Sequence, residues 1–315
     1  MLLLIGAGST SRDYIKTLHL LGVKDIDILS RRPDPAMALC QEFGLGRGFG
    51  GGLETLPRIV GGYRRIIVAS PMETLLPYLA ALAELTTVPV LIEKPVSLAS
   101  SDLAAHVARH PEQNRTVMVA LNRLFYPSVV ELRRRLETEP VRSVDFAFTE
   151  WLHRLNLSQY APEVLARWGL GNSLHVMSTV FDLIGQPQAL HAEVAGRGEV
   201  AWHPAGSAFL GAGRSERGIP FAYAADWLSA GRWSAAFRTA EGAYHLEPFE
   251  GLSYCPKGTV TRTEVVPVWN GEFKCGFEGM VRCWMGEAEV EARYSLKRMV
   301  GHLATVERMM YAAEI

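Results

Sequence analysis

The chain opens Met1-Leu-Leu-Leu-Ile-Gly6-Ala-Gly8-Ser-Thr-Ser11, and this stretch decides the fold. An apolar run that meets Gly-x-Gly-x-x-Ser predicts a strand turning straight into a helix, the first step of a dinucleotide-binding βαβ unit. Gly6 allows the tight turn. Gly8 lets backbone N–H groups come close to a pyrophosphate. A helix starting near Ser9 turns its positive end toward that anion, so Ser9 and Thr10 are expected contacts. Ser11 takes the place of the usual third Gly or Ala, where the helix packs on the strand. The following segment is amphipathic, carrying Tyr14, Ile15, Leu18, Leu20 and Leu21.

Outward from that start, strand and helix signals alternate as far as Leu121. Ile26–Leu29, Arg65–Ala69, Pro89–Ile92 and Thr116–Leu121 read as strands, and Ala36–Phe43, Thr74–Leu85 and Ser101–His110 as helices. The glycine-dense stretch Gly44–Gly52 reads as a loop. Such alternation predicts a parallel, doubly wound sheet. After Asn122 the pattern changes. A helix (Ser128–Glu137), a strand (Val141–Trp151) and a helix (Asn172–Ile184, stopped by Gly185-x-Pro187) lead into short strand-like runs from Ala189 to Val268. Helical spacing of Met299, Leu303, Val306 and Met310 marks a final helical segment over Met280–Met310. The expected fold is therefore α/β plus α+β. An N-terminal Rossmann domain, residues 1–121, precedes an α+β domain, residues 122–315, built on an open, mostly antiparallel sheet. A chain of 315 residues suits two such domains.

Composition narrows the function classes. A formal net charge of −1 gives no electrostatic case for nucleic acid or an anionic membrane surface. No apolar run approaches the ~20 residues of a spanning helix. The apolar start has no basic region before it and meets Gly6 too soon for a secretory leader. Cys40, Cys255, Cys275 and Cys283 show no C-x-x-C spacing. Reduced thiols in the cytoplasm are the expectation, with no metal site.

The chemistry is read from strand ends. An acid at the end of the second strand holds the ribose 2′-OH of NAD. Here the sequence is Leu29-Ser30-Arg31-Arg32. A hydroxyl and two guanidiniums favour a 2′-phosphate, hence NADP(H) over NAD(H); the alternative is a solvated arginine pair. Ser70-Pro71 and Glu93-Lys94-Pro95 close two further strands, where ligands of doubly wound sheets bind. An ammonium at Lys94 could polarise a carbonyl oxygen or stabilise a developing alkoxide; the alternative is a surface lysine in a loop. In the second half, Glu150-Trp151-Leu152-His153-Arg154, Arg167-Trp168 and Asn172-Ser173 gather acid, base and aromatic groups near the helix carrying His175. Trp151 and Trp168 could supply apolar ring faces for a ligand. Solvated loop charges and core tryptophans are the bland alternative.

Four of these stretches together resemble the Gfo/Idh/MocA family of oxidoreductases: Gly6-Ala-Gly8, Glu93-Lys94-Pro95, Asn122-Arg123 and the helix Gly171-Asn-Ser-Leu-His-Val-Met-Ser-Thr-Val-Phe-Asp182. The resemblance runs through nearly the whole chain in matching order, and the Glu-Lys-Pro element is its most specific piece. It implies hydride exchange between a nicotinamide and a hydroxyl or carbonyl carbon, mostly of sugars or cyclic polyols. It also implies a frequently cis Lys-Pro bond and a second-domain open sheet that often builds a dimer. The aromatic content of the strands after residue 200 (Trp202, Phe221, Trp227, Trp233, Phe237, Trp269) predicts a homodimer or homotetramer through that sheet if those rings face outward. Lys94 and His175 are the catalytic candidates. Gly6, Gly8, Ser9, Thr10, Ser30, Arg31, Arg32, Ser70, Pro71, Glu93, Lys94 and Asn122 are the cofactor candidates. Lys94, Asn122, Glu150, Trp151, His153, Arg167, Trp168, Asn172 and His175 are the substrate candidates.

One departure matters. The family pattern on the second-domain helix is Asp, three residues, His, with the His as acid–base residue. This chain has His175 in the Asp slot and Thr179 in the His slot. Residues four apart share a helical face, so three outcomes stay open: His175 transfers the proton, Lys94 acts alone, or redox chemistry is lost and a nucleotide-binding sensor or scaffold remains. The residues of Glu-Trp-x-His, Arg-Trp and Asn-Ser-x-His also resemble a subgroup linked to surface-polysaccharide sugar biosynthesis.

Overall fold

The computed structural model describes residues 1–286 and 289–311. Two compact units are present among the described residues: residues 1–121 with 272–300, and residues 122–271 with 301–311.

The first unit is built on a six-stranded parallel sheet: β1 (Leu2–Ile5), β2 (Ile26–Leu29), β3 (Gly48–Phe49), β4 (Arg65–Val68), β5 (Val90–Glu93) and β6 (Val117–Ala120). Their spatial order is β3-β2-β1-β4-β5-β6, so the direction of winding reverses between β1 and β4. Strands covered on both faces read as continuous apolar runs, and β1 is buried at all of its positions. Helix α1 (Ser9–Leu20) follows β1 and α2 (Pro33–Phe43) follows β2. Gly44 ends α2 in the left-handed region at φ +64°, a conformation that favours glycine. The glycine-dense stretch is not all loop. Gly48 and Phe49 pair with Ile28 and Leu29 as a short edge strand, too brief to show periodicity in the sequence.

The C-terminal end differs from the single helical segment expected. Helix Phe277–Met285 stops where Gly286 leaves helical geometry, and helix Leu296–Met310 starts afresh; residues 287 and 288 lie outside the described residues. The segment 272–300, expected within the second domain, packs with the first unit. Phe277 lies 4.9 Å from the Tyr14 ring. Lys274 pairs with Asp13 at 3.2 Å, and Arg65 donates to the carbonyls of Trp284 and Met285 at 2.9 and 2.8 Å. Sequence periodicity reports a helix's own buried face but not which core receives it.

The second unit is an eight-stranded sheet: β7 (Ser143–Phe148), β8 (Pro187–Ala195), β9 (Ala208–Ser215), β10 (Pro220–Asp226), β11 (Trp233–Arg238), β12 (Gly242–Leu246), β13 (Leu252–Pro256) and β14 (Thr263–Val266). The order is β14-β13-β12-β11-β7-β10-β9-β8, antiparallel except for β7 beside β10. Helices Pro127–Leu136 and Leu174–Ile184 pack on one face. Alternation along β10 is clean: Phe221, Tyr223 and Ala225 are buried, while Ala222 and Ala224 are exposed. Phe181 of the covering helix meets Phe146 at 5.8 Å and Phe221 at 5.2 Å. The condition that these rings face outward is met by few of them: Phe221, Trp227, Trp233 and Phe237 are buried, and of the six only Trp269 is exposed, at 40%. Among the described residues, no helix is long and apolar enough to cross a membrane.

Candidate functional site

In the first unit the chemistry gathers at the carboxyl ends of β1 and β4, where the strand order reverses and doubly wound sheets bind their ligands. Gly6 N–H donates to the Leu29 carbonyl at 2.8 Å, and Ala69 N–H to the Ile5 carbonyl at 2.7 Å. At Gly6, φ is +120°, and an added Cβ would lie 2.2 Å from the Ala69 carbonyl oxygen. Only glycine fits there. At Gly8 an added Cβ would meet open space, so this glycine leaves clearance for something outside the fold. Gly8 is the residue before α1, which has no side-chain cap and no acid in its first turn. The amide ends at Ser9 and Thr10 thus lie at the start of a twelve-residue helix with positive potential. The donor set fits a dinucleotide pyrophosphate.

A cleft of ≈ 450 Å³ adjoins this turn, lined by residues including Ala7, Ser30, Arg31, Arg32, Pro71 and Tyr78. Arg31 and Arg32 are exposed. Ser30 is buried, and its hydroxyl donates to the Arg32 carbonyl, so it shapes the turn as well as the wall. Ser70 accepts from the Thr74 hydroxyl at 2.8 Å. The cleft also holds Glu54 and Glu73, two acids that the sequence reading missed. Neither follows β2 directly, where the acid of NAD-binding folds is sought.

At the end of β5, Glu93 accepts from the Tyr14 hydroxyl of α1 at 2.7 Å. Burial, with the Glu93 carboxylate second, pushes the Tyr14 phenol well above its usual range, so it remains a donor. The Lys94–Pro95 bond is cis, and Val96 is held at φ +70°. A β-branched residue there is a backbone outlier of the kind found at functional turns. Lys94 itself is 9% exposed.

The second unit brings together most of its sequence candidates. Glu150 follows β7 and is 3% exposed. Its carboxylate accepts from the Ser173 hydroxyl at 2.7 Å and the Asn172 amide at 2.8 Å. Both partners lie on a π-turn, Gly169–Ser173, that leads into the helix Leu174–Ile184; such turns are common at functional sites. Burial raises the Glu150 carboxyl above its usual range, opposed by those hydrogen bonds and by Arg232, 3.7 Å away. His175 is buried, and its Nε2 lies 2.7 Å from the Arg123 guanidinium. A guanidinium has no acceptor, so Arg123 donates and Nε2 carries the lone pair. Arg123 also donates to Asn122 Oδ1 at 2.9 Å. The Thr179 hydroxyl donates to the His175 carbonyl at 2.8 Å, which ties it to its own helix.

Two candidates, Trp168 and Arg167, have other surroundings than expected. Trp168 is 3% exposed, packed on Tyr160 and Trp202; a platform for a sugar ring needs an open face, which Trp168 lacks. Arg167 is turned toward the C-terminal helix, pairing with Glu307 at 3.5 Å and lying over the Tyr311 ring. His153 is exposed, 6.2 Å from the Trp151 ring. Arg232 and Trp233 were missed. They lie far along the chain from residue 150, and only the pairing of β11 with β7 brings Trp233 beside Phe148.

The sequence matches no family model and no curated protein. Solved structures of like fold are clear. An oxidoreductase from Agrobacterium radiobacter, solved with NAD+, L-tartaric acid and magnesium, aligns at a TM-score of 0.79 with 16% identity, over 99% of this chain and 96% of that one. A Gfo/Idh/MocA family oxidoreductase from Vibrio cholerae aligns at 0.77 with 13% identity, over 99% and 97%. Levoglucosan dehydrogenase, solved with NADH and levoglucosan, aligns at 0.76 with 13% identity, over 99% and 96%. At such identities the likeness is one of architecture: the chain has the fold of the Gfo/Idh/MocA family oxidoreductases.

Proposed function

We propose that the chain is an oxidoreductase that exchanges a hydride between a nicotinamide dinucleotide, NADP(H) in preference to NAD(H), and a hydroxyl or carbonyl carbon of a sugar-like substrate. The observation that carries this reading is the crevice at the strand-order reversal. There Gly6 admits no Cβ, Gly8 has open space before it, and the guanidiniums of Arg31 and Arg32 stand exposed beyond β2. The bound ligands of two neighbours of like fold, NAD+ and NADH, support the cofactor class. When bound, the nicotinamide supplies or takes the hydride.

The chain's own residues hold charge and proton. The amides at the start of α1 hold the pyrophosphate, and Arg31 and Arg32 pair with the 2′-phosphate. The Lys94 ammonium hydrogen-bonds the oxygen on the reacting carbon and stabilises its developing charge, an effect strengthened by the burial of Lys94. His175 is the proton donor of this proposal. Nε2 accepts from Arg123 in this structure, so donation needs a prior protonation of Nε2 that displaces this contact; the imidazolium then gives up the hydrogen on Nδ1 and returns to neutral imidazole. Asn122, Glu150, Trp151 and Asn172 position the substrate.

A second reading is a nucleotide-binding sensor without turnover. The observation favouring it is that His175 Nε2 is already occupied by Arg123 and that Thr179 is tied to the backbone. Incubating the chain with NADPH and a panel of keto-sugars and lactones, and following the nicotinamide absorbance, separates the two. Oxidation of NADPH with any of them is expected; tight binding with no turnover on the whole panel supports the sensor. We also propose a homodimer or homotetramer through the outer face of the second sheet, where Leu210, Ala212, Ala222 and Ala224 are exposed. Light scattering that finds a monomer at micromolar concentration refutes it.

A further inference from the structure

The second unit carries a feature that no single stretch of sequence announces. The guanidiniums of Arg154 and Arg232 lie 4.5 and 4.7 Å from the Trp151 ring centre. Arg232 also lies 4.5 Å from the Trp233 ring, and Arg123 lies 5.3 Å from that same ring. Three cations and two indoles therefore form one ladder running from residue 154 to residue 123. Trp151 is fixed in it by its indole N–H, which donates to the Gly231 carbonyl at 2.8 Å. Like charges packed so closely repel, and the ladder's carboxylate partner among the described residues is Glu150, 3.7 Å from Arg232. That carboxylate is buried, with Asn172 and Ser173 already on its oxygens. A guanidinium stacked by its face on an indole keeps its N–H donors at the edge, in a planar fork that matches an oxyanion.

We infer that this ladder is an oxyanion subsite, so that the substrate carries a carboxylate or a phosphate besides the carbon that is oxidised or reduced. The inference rests on the proposed assignment of Glu150 and Trp151 to substrate binding. Arg154 and Arg232, both exposed, supply the forks. Trp151 carries both forks on its ring.

Calorimetric titration of the whole chain with glucose, glucuronate and glucose 6-phosphate tests this. The three share one ring and differ in the anion. One of the two anions is expected to bind at least roughly ten-fold more tightly than glucose, the scale of one charge-assisted hydrogen bond. Added salt should shrink that preference. A preference for glucuronate assigns a carboxylate, and one for glucose 6-phosphate a phosphate. Arg154→Ala should remove much of the preference, and Arg232→Lys, which keeps the charge but loses the fork, should weaken it. Equal binding of all three ligands, no binding of either anion, or a preference untouched by both substitutions overturns the inference. NADPH titrated separately keeps the two proposals apart. NADPH binding without anion preference removes the subsite alone, and anion preference without NADPH binding removes the oxidoreductase reading.

Discussion

Acid should unfasten the substrate-side turn of the second unit through one histidine. His203 has no solvent exposure. Its Nδ1 lies 2.9 Å from the Gly206 carbonyl and its Nε2 2.9 Å from the Tyr311 hydroxyl. That hydroxyl in turn accepts from the Gly169 N–H at 3.0 Å. A neutral imidazole with its hydrogen on Nδ1 satisfies the whole chain of donors and acceptors. Protonating Nε2 would leave the Tyr311 hydrogen facing another donor. Burial pushes the His203 pKa from 6.5 down to about 4. The unfolded chain thus takes up this proton near its ordinary pKa, whereas the folded chain resists until far lower pH. Stability present above the unfolded pKa is lost as pH falls from 6.5 to about 4. Over that window the loss is roughly 3 kcal/mol, a large share of the ~5–15 kcal/mol of a typical fold. Urea unfolding followed by tryptophan fluorescence reads it, since Trp227 lies 4.6 Å from the His203 ring. The control is His203→Gln, which keeps a donor and an acceptor but does not titrate. The variant should be the less stable at neutral pH, yet lose less on acidification, by up to ~1.4 kcal/mol per pH unit. Parallel pH dependences for the two proteins would refute the reasoning. Gly169 opens the π-turn bearing Asn172 and Ser173, so weakened substrate binding should accompany the loss.

Other expectations are more direct. Gly6→Ala forces a Cβ to 2.2 Å from a backbone oxygen at φ +120°; it should lower the melting temperature and weaken NADPH binding, and an unchanged melting curve would contradict the turn geometry. Lys94→Ala should nearly abolish turnover while NADPH still binds in a fluorescence titration; substantial residual turnover would remove Lys94 from the chemistry. His175→Ala should lower kcat by about 10²-fold. A fully active variant makes His175 structural and passes the proton to Lys94 or to a water.

What the sequence showed was what is local. Gly6 and Gly8 announced the turn because a tight strand-to-helix corner depends on a few adjacent residues, and β1, β2, β4, β5 and β6 stood out as apolar runs because both sheet faces are covered. The Lys94 turn was legible because its residues are contiguous. What failed was non-local. Inward or outward orientation of Phe221 and Trp233 depends on register against β7, which the amino-acid pattern does not state. The return of 272–300 to the first unit depends on Tyr14 and Asp13, some 260 residues earlier. The Arg232 and Trp233 rungs of the ladder were invisible for the same reason. Trp168 was misplaced because a tryptophan in a polar stretch reads alike whether its ring is open or packed.

The central claim, that the crevice beyond β1 and β2 takes a dinucleotide read by Arg31 and Arg32, is tested most directly by calorimetric titration of the chain with NADPH and with NADH. The account predicts that NADPH binds more tightly by roughly ten- to a hundred-fold, the 1.5–3 kcal/mol of a charge-assisted phosphate contact. It also predicts that Arg31→Ala and Arg32→Ala erode that advantage while leaving NADH unaffected. Equal or tighter binding of NADH, or NADPH binding indifferent to both substitutions, would contradict it.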